Sequence, residues 1–174
     1  IEEAETSTRK AIELNPDFAI AHSNLGNLLK EKGEIEEAES SLRKAISLNN
    51  KSEILYTNLG LILLKKGLHK EAENAFLQAI KINPLKIDSH YNLATLYSEI
   101  NKLKEAEKYL TKIIRINPKL SLPYASLGKL LIKKGELSRA KNYLIKSINI
   151  DPNDTESYFG LSILRHSSDE ERWQ

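Results

Sequence analysis

The residues of this chain able to do chemistry are few: four histidines, two lysine pairs, and an asparagine that recurs where a helix is expected. His is the commonest metal ligand and proton carrier. His22 and His90 share one register of the repeat described below but lie two units apart, and at roughly 8 to 10 Å per packed helix they cannot share a metal. His69 is expected in a turn and His166 near the last residues, neither with a second ligand at metal spacing. There is no Cys, so thiolate metal sites and disulfides are excluded. No Gly-rich phosphate loop, nucleophile elbow or paired-carboxylate pocket is visible, and helix N-termini account for the Glu pairs. What remains is Asn24, Asn58 and Asn92. An amide offers one acceptor and two donors, enough to hold both the C=O and the N–H of an extended backbone whatever side chain it carries. Asn is a mediocre helix former, so three in one helical column need a reason. Either they bind, or one solvated Asn was copied when the repeats were duplicated.

The elements that position these residues follow from a period of 34. Ala4, Ala38, Ala72, Ala106 and Ala140 recur at that step without an insertion, as do Leu25, Leu59, Leu93, Leu127 and Leu161. Each unit reads as two helices. Helix A carries apolar residues at helical spacing, such as Leu59, Ile62 and Leu63. It ends where a left-handed residue is needed, at Gly33, Gly67, Asn101 and Gly135. Helix B opens with acidic residues such as Glu36 and Glu37 and closes before Pro16, Pro84, Pro118 and Pro152, with Asn50 the exception in that column. Gly26, Gly60, Ala94 and Gly128 on helix A face the Ala column of helix B, a close crossing flanked by Leu42, Phe76, Leu110 and Leu144. The expected fold is all-α, a right-handed superhelix of antiparallel helix pairs forming a single solenoid over 1–174. Its parts are a lone second helix (1–18), four complete units (19–52, 53–86, 87–120, 121–154) and an incomplete one (155–174).

These motifs resemble the tetratricopeptide repeat, whose pattern W-x2-L-G-x2-Y followed by A, F and P is met by Tyr56, Leu59, Gly60, Leu63, Ala72, Phe76 and Pro84. The wording PDFAIAHSNLGNLL is also similar to the repeats of O-linked N-acetylglucosamine transferases, and that resemblance implies an inner groove lined by Asn24, Asn58 and Asn92, with the run broken at Ser126 and Gly160. Residues three or four away on helix A complete the expected groove: Asn27, Leu61, Tyr91, Thr95 and Lys129 are its candidate binding residues, with Ile20, Ser23, Ile54, Thr57, Asp88, Leu122 and Ala125 beside them. Leu61, Leu64 and Tyr91 are expected to form an exposed apolar spot. A clamp for an acidic chaperone tail is excluded, because its positions hold Ser23, Asn27, Asn58, Asp88 and Asn92, and Asp88 would repel the carboxylate.

Composition adds boundaries. Of 174 residues, 40% are hydrophobic and 29% charged, and the net charge of +2 creates no strong field toward nucleic acid or acidic lipid. Lys65–Lys66 and Lys133–Lys134 sit at helix-A C-termini, where cations oppose the dipole, and Glu31, Asp88 and Glu99 interrupt any basic groove an RNA would need. No apolar run approaches the ~18 to 20 residues of a membrane span. The sequence opens at Ile1 inside a helix and reads as a fragment. The expectation is therefore a cytoplasmic, non-enzymatic scaffold without cofactor or metal, binding a peptide or partner protein and neither nucleic acid nor membrane. The alternative is the substrate-docking arm of a larger glycosyltransferase or sulfotransferase. Uncovered apolar residues at the two ends, Ala4, Ala11 and Ile12 among them, predict weak end-to-end self-association, and Ser167 to Glu171 reads as a capping box opening a helix near Trp173.

Overall fold

The computed structural model describes residues 1–170, with side chains described through residue 165. The chain is helical throughout: α1 (Glu2–Leu14), α2 (Ala19–Lys32), α3 (Ile35–Leu48), α4 (Glu53–Lys65), α5 (His69–Ile82), α6 (Ile87–Glu99), α7 (Leu103–Ile116), α8 (Ser121–Lys133), α9 (Leu137–Ile150) and α10 (Thr155–Glu170), with no strand among the described residues. Even-numbered helices occupy the helix-A register and odd-numbered ones the helix-B register. The chain divides into two compact units, Ile1–Asn92 and the residues from Leu93 onward, the division falling inside α6.

In the first unit α2 packs on α3 and α4 on α5, with α1 against α2 and α3 against α4. Their cores are the apolar stripes expected from spacing: Leu25 and Leu29 meet Ala38, Leu42 and Ala45, while Leu59, Ile62 and Leu63 meet Ala72, Phe76 and Ala79, all buried. The glycine of helix A sets how near the partner helix comes. A Cβ placed on Gly60 would lie 2.5 Å from Phe76 Cε1, so any side chain there must displace a fully buried ring. In the second unit α8 and α9 pair in the same way, α7 packs on α8, and α10 packs on both α8 and α9. A Cβ on Gly128 would meet Leu144 Cδ2 at 2.5 Å.

The punctuation is as the residue types dictate. Gly33, Gly67 and Gly135 adopt φ of 86, 73 and 77°, and Asn101, the substitute, adopts 61°. Each ends helix A with a backbone N–H reaching back five residues, as from Glu34 to Leu29 O and from Lys102 to Tyr97 O. The joints from helix B to helix A have a device that proline alone does not explain. Asn15, Asn49, Asn83, Asn117 and Asp151 each accept the backbone N–H two residues on with the side-chain oxygen, at 3.0 to 3.2 Å. Such turns tolerate Asn50 in the proline column, since the bond is made by the residue before it.

Several expectations need correction. His69 is not in a turn but is the first residue of α5. Thr57 does not face outward; it is buried and its Oγ1 lies 2.8 Å from Ser89 Oγ, joining α4 to the start of α6. The helix expected to open at Ser167 does not, because α10 continues unbroken to Glu170, while the side chains of that capping box, and Trp173, lie outside the described residues.

Candidate functional site

On α2, α4 and the start of α6 the Asn column lies at the edge of the buried leucine stripe, each Asn directly preceding a buried leucine. Asn24 is exposed and Asn58 and Asn92 are half-buried. No residue among those described hydrogen-bonds to the three side-chain amides. Four residues earlier, on the same helical face, Ile20 is 62% and Ile54 51% exposed, and Asp88 is exposed and ion-paired to Lys86 at 3.1 Å. The arrangement is therefore a row of unused amides bordered by uncovered isoleucines. Asn27 is half-buried, and its Oδ1 is covered with no donor among the described residues. Leu61, Leu64 and Tyr91 are each half-buried rather than the open apolar spot expected.

The same register differs in the second unit. Thr95 is exposed, and Lys129 donates to Glu156 Oε2 at 2.5 Å. Ala125 is buried. Beside Lys129 a pocket of about 670 Å³ opens between α8 and α10, lined by Ile132, Thr155, Glu156, Phe159, Gly160 and Ile163. Phe159 and Ile163 were missed from sequence. Their register was available, since Phe159 falls in the column of Thr57 and Tyr91 and Ile163 in that of Leu61 and Lys129. α10 is fixed at its start by Asp154, which accepts Ser157 N–H at 3.1 Å and the Ser147 hydroxyl at 2.6 Å. Burial raises this carboxyl's pKa, but those hydrogen bonds outweigh it and leave it below its usual range.

Two of the histidines, His22 and His90, hold the backbone. His22 Nε2 lies 2.8 Å from Pro16 O and His90 Nε2 2.8 Å from Pro84 O, the bond that Tyr124 makes with its hydroxyl to Pro118 O at 3.2 Å. Imidazole thus replaces phenol in the aromatic column while keeping one donor at its tip. No group of three potential ligands able to hold a metal occurs among the described residues. Several lysines that drew attention as nucleic-acid contacts are already used. Lys66 donates to Glu39 at 2.7 Å, Lys134 to Glu107 at 2.5 Å and Lys133 to the Ser98 carbonyl at 3.1 Å. The bond from Lys66 holds Glu39 below the usual carboxylate range. For Glu107 burial acts the other way, and the bonds from Lys134 and Arg139 overcome it. Lys32 repeats the pattern on Glu5 at 2.6 Å.

Paired antiparallel helices in a 34-residue register, capped alike, define a helical-repeat interaction protein. Tetratricopeptide repeat models match residues 8–40, 26–67, 52–119 and 123–154, and the chain belongs to the tetratricopeptide repeat family. Its fold is that family's all-α solenoid. Among solved structures it is similar to MamA (TM-score 0.80, 24% identity, 87% of this chain and 89% of that one). It is similar as well to a Pseudomonas aeruginosa pilF structure (0.84, 23%, 98% and 78%). A third is YrrB, described as a TPR protein with an unusual peptide-binding site (0.76, 25%, 93% and 84%). None of the curated proteins matches the chain. No described helix is long and apolar enough to cross a membrane.

Proposed function

We propose that this chain is a protein-interaction scaffold with no chemistry of its own, and that it holds an extended peptide segment of a partner in the groove lined by its helices A. The observation that carries the reading is the row of Asn24, Asn58 and Asn92, three amides in one register with no hydrogen bond to the described protein. An amide left unpaired on an ordered helix is a donor and acceptor held ready, and the bordering Ile20 and Ile54 offer apolar area to a ligand. YrrB, a peptide binder by its description, shares the fold. Leu61 and Tyr91 stand beside the row in the helix-A register of the first unit, and Thr95 and Lys129 hold that register in the second, while Asn27 Oδ1 is covered.

The test uses a peptide selected from a random library on the intact chain. Changing Asn24, Asn58 and Asn92 together to Ala is expected to weaken it by roughly tenfold or more, at about 0.5 to 1.5 kcal/mol for each hydrogen bond lost. N-methylation of the peptide backbone is expected to have the same effect. Undiminished affinity in a folded triple variant sinks the reading. A weak self-association of the 174-residue chain belongs with this proposal as well: α1 buries no residue, and Leu14 is 77% exposed. Sedimentation at rising concentration tests it, and a single monomeric species up to millimolar protein overturns it.

A further inference from the structure

We propose that the pocket between α8 and α10 seats one bulky apolar side chain of a bound peptide, Leu, Ile or Phe, and so gives the scaffold its sequence selectivity; this rests on the peptide-binding reading above. The amides of the first unit hold main chain, which every sequence shares. Selectivity needs a place that reads a side chain, and this pocket has the form of one. Its walls are Ile132, Phe159 and Ile163, and Phe159 is 67% and Ile163 43% exposed, so large apolar surface is left to water at an ordered site. Gly160 also lines it, in the column that carries Asn in the first unit. A Cβ at 160 would come within 2.9 Å of Leu144 Cδ1, so α10 packs closely on α9 at that position. At about 670 Å³ the pocket lies within the usual range for ligand sites of ~300 to 1,000 Å³.

The rim decides the occupant. Lys129 Nζ and Glu156 Oε2 stand 2.5 Å apart there, one donor group and one acceptor group with no net charge between them. Each peptide residue flanks its side chain with one N–H and one C=O, which is the complement of that pair. A phosphate or lipid headgroup would need an unpaired cation, and a charged side chain would lose its hydration against the isoleucines and phenylalanine. An uncharged, bulky residue in a polypeptide satisfies walls and rim together.

The probes are N-acetyl methylamides of Phe, Leu, Ala and Lys, titrated while the methyl resonances of Ile132 and Ile163 are followed by NMR. The Phe and Leu compounds are expected to shift both methyls saturably and to bind about 10- to 100-fold more tightly than the Ala compound. Phe159→Ser and, separately, Ile163→Thr, both at exposed positions, are expected to abolish the response while the remaining spectrum stays dispersed. Absence of a shift up to the solubility limit, equal response to the Lys compound, or tighter binding of decanoate than of the Phe compound overturns the proposal. These probes are too short to span the amide row, so the triple Asn variant is expected to bind them as the parent does. Failure of the amide reading and failure of this one are therefore separate results.

Discussion

Where the first unit has Ser41, the second, three repeats on, has Tyr143, and on the helix A that follows each of them Asn58 in the first unit corresponds to Gly160 in the second. Around Ser41 the outer side of α1, α2 and α3 is left as a cleft of about 560 Å³ with Arg9, Glu37, His22 and Lys44 on its walls. Around Tyr143 the phenol instead packs against Tyr124 with ring centroids 6.3 Å apart, and Tyr97 stacks on Tyr109 at 5.7 Å. The first unit thus keeps polar groups on both its surfaces, whereas the second fills its outer side with tyrosine and opens an apolar pocket on its helix-A side. Both use one backbone frame, with the same left-handed caps and the same Asx turns. What the comparison teaches is that the repeat specifies crossing and capping through a few columns, leaving the outward columns free to diverge in chemistry.

The strongest way to break that comparison is to attack the shared frame. Phe76 and Leu144 hold the same column and are both fully buried. Phe76→Ala is expected to cost about 3 to 5 kcal/mol and Leu144→Ala about 2 to 5, read by denaturant melts and by hydrogen exchange in α4–α5 and in α8–α9. Losses below about 1 kcal/mol at either site would mean that the column is not the core of its pair. Overpacking is the next smaller test. Ala72→Leu, at a position with no exposure, is expected to force α5 off α4 at about 1 to 3 kcal/mol. A variant that melts with the parent would show the crossing at Gly60 to be looser than its geometry implies.

A third test uses pH and is common to both units. Glu39 and Glu107 each take two cations, Lys66 with Arg43 and Lys134 with Arg139, and both carboxyls sit below their usual range. A depressed carboxyl stabilises the fold above its unfolded value, near 4.5, and that contribution disappears as pH falls through the lower folded value. Stability is therefore expected to decline on the acid side, beginning below about pH 5. Glu107→Gln should remove about 0.2 to 1 kcal/mol at neutral pH and flatten the acid limb, with less effect at high salt. A variant whose acid limb matches the parent's would show these pairs to be indifferent to folding.

How much of this was legible in the sequence depends on whether a feature repeats. The Ala and Gly columns gave the crossing, and Asn101 at φ 61° shows that even the substituted cap was readable from residue type. The Asx turns were equally periodic in Asn15, Asn49, Asn83, Asn117 and Asp151, but the adjacent prolines drew the explanation to themselves. The ion pairs were hidden for another reason: Glu39 and Lys66 are 27 residues apart, an offset that belongs to neighbouring helix pairs and not to the 34-residue step. Thr57 was misplaced because its neighbour Ser89 satisfies a hydroxyl that otherwise would turn to water. The α8/α10 pocket arises from residues that break the columns, Gly160 and Phe159 above all, and a reading built on what recurs passes over what does not.

The smallest expected effect is the one that separates the two explanations of the asparagines. Asn24 is exposed on α2 and its amide bonds to nothing among the described residues. If it does no structural work, Asn24→Ala exchanges a poorer helix former for the best one, and the chain is expected to gain a few tenths of a kcal/mol, up to about 0.7. Asn58→Ala, half-buried on α4, is expected to be neutral or to gain less, since some packing area goes with the amide. The sign is what matters. A gain in thermal stability together with weaker peptide binding means that the first unit carries a residue costly to its own helix and useful only to a ligand. A loss greater than about 0.5 kcal/mol at Asn24 would place the amide among the groups that hold the fold, against the geometry. A gain with unaltered binding of the selected peptide would leave duplication as the explanation, and the contrast between an amide-bearing first unit and an apolar second would then be one of ancestry rather than of recognition.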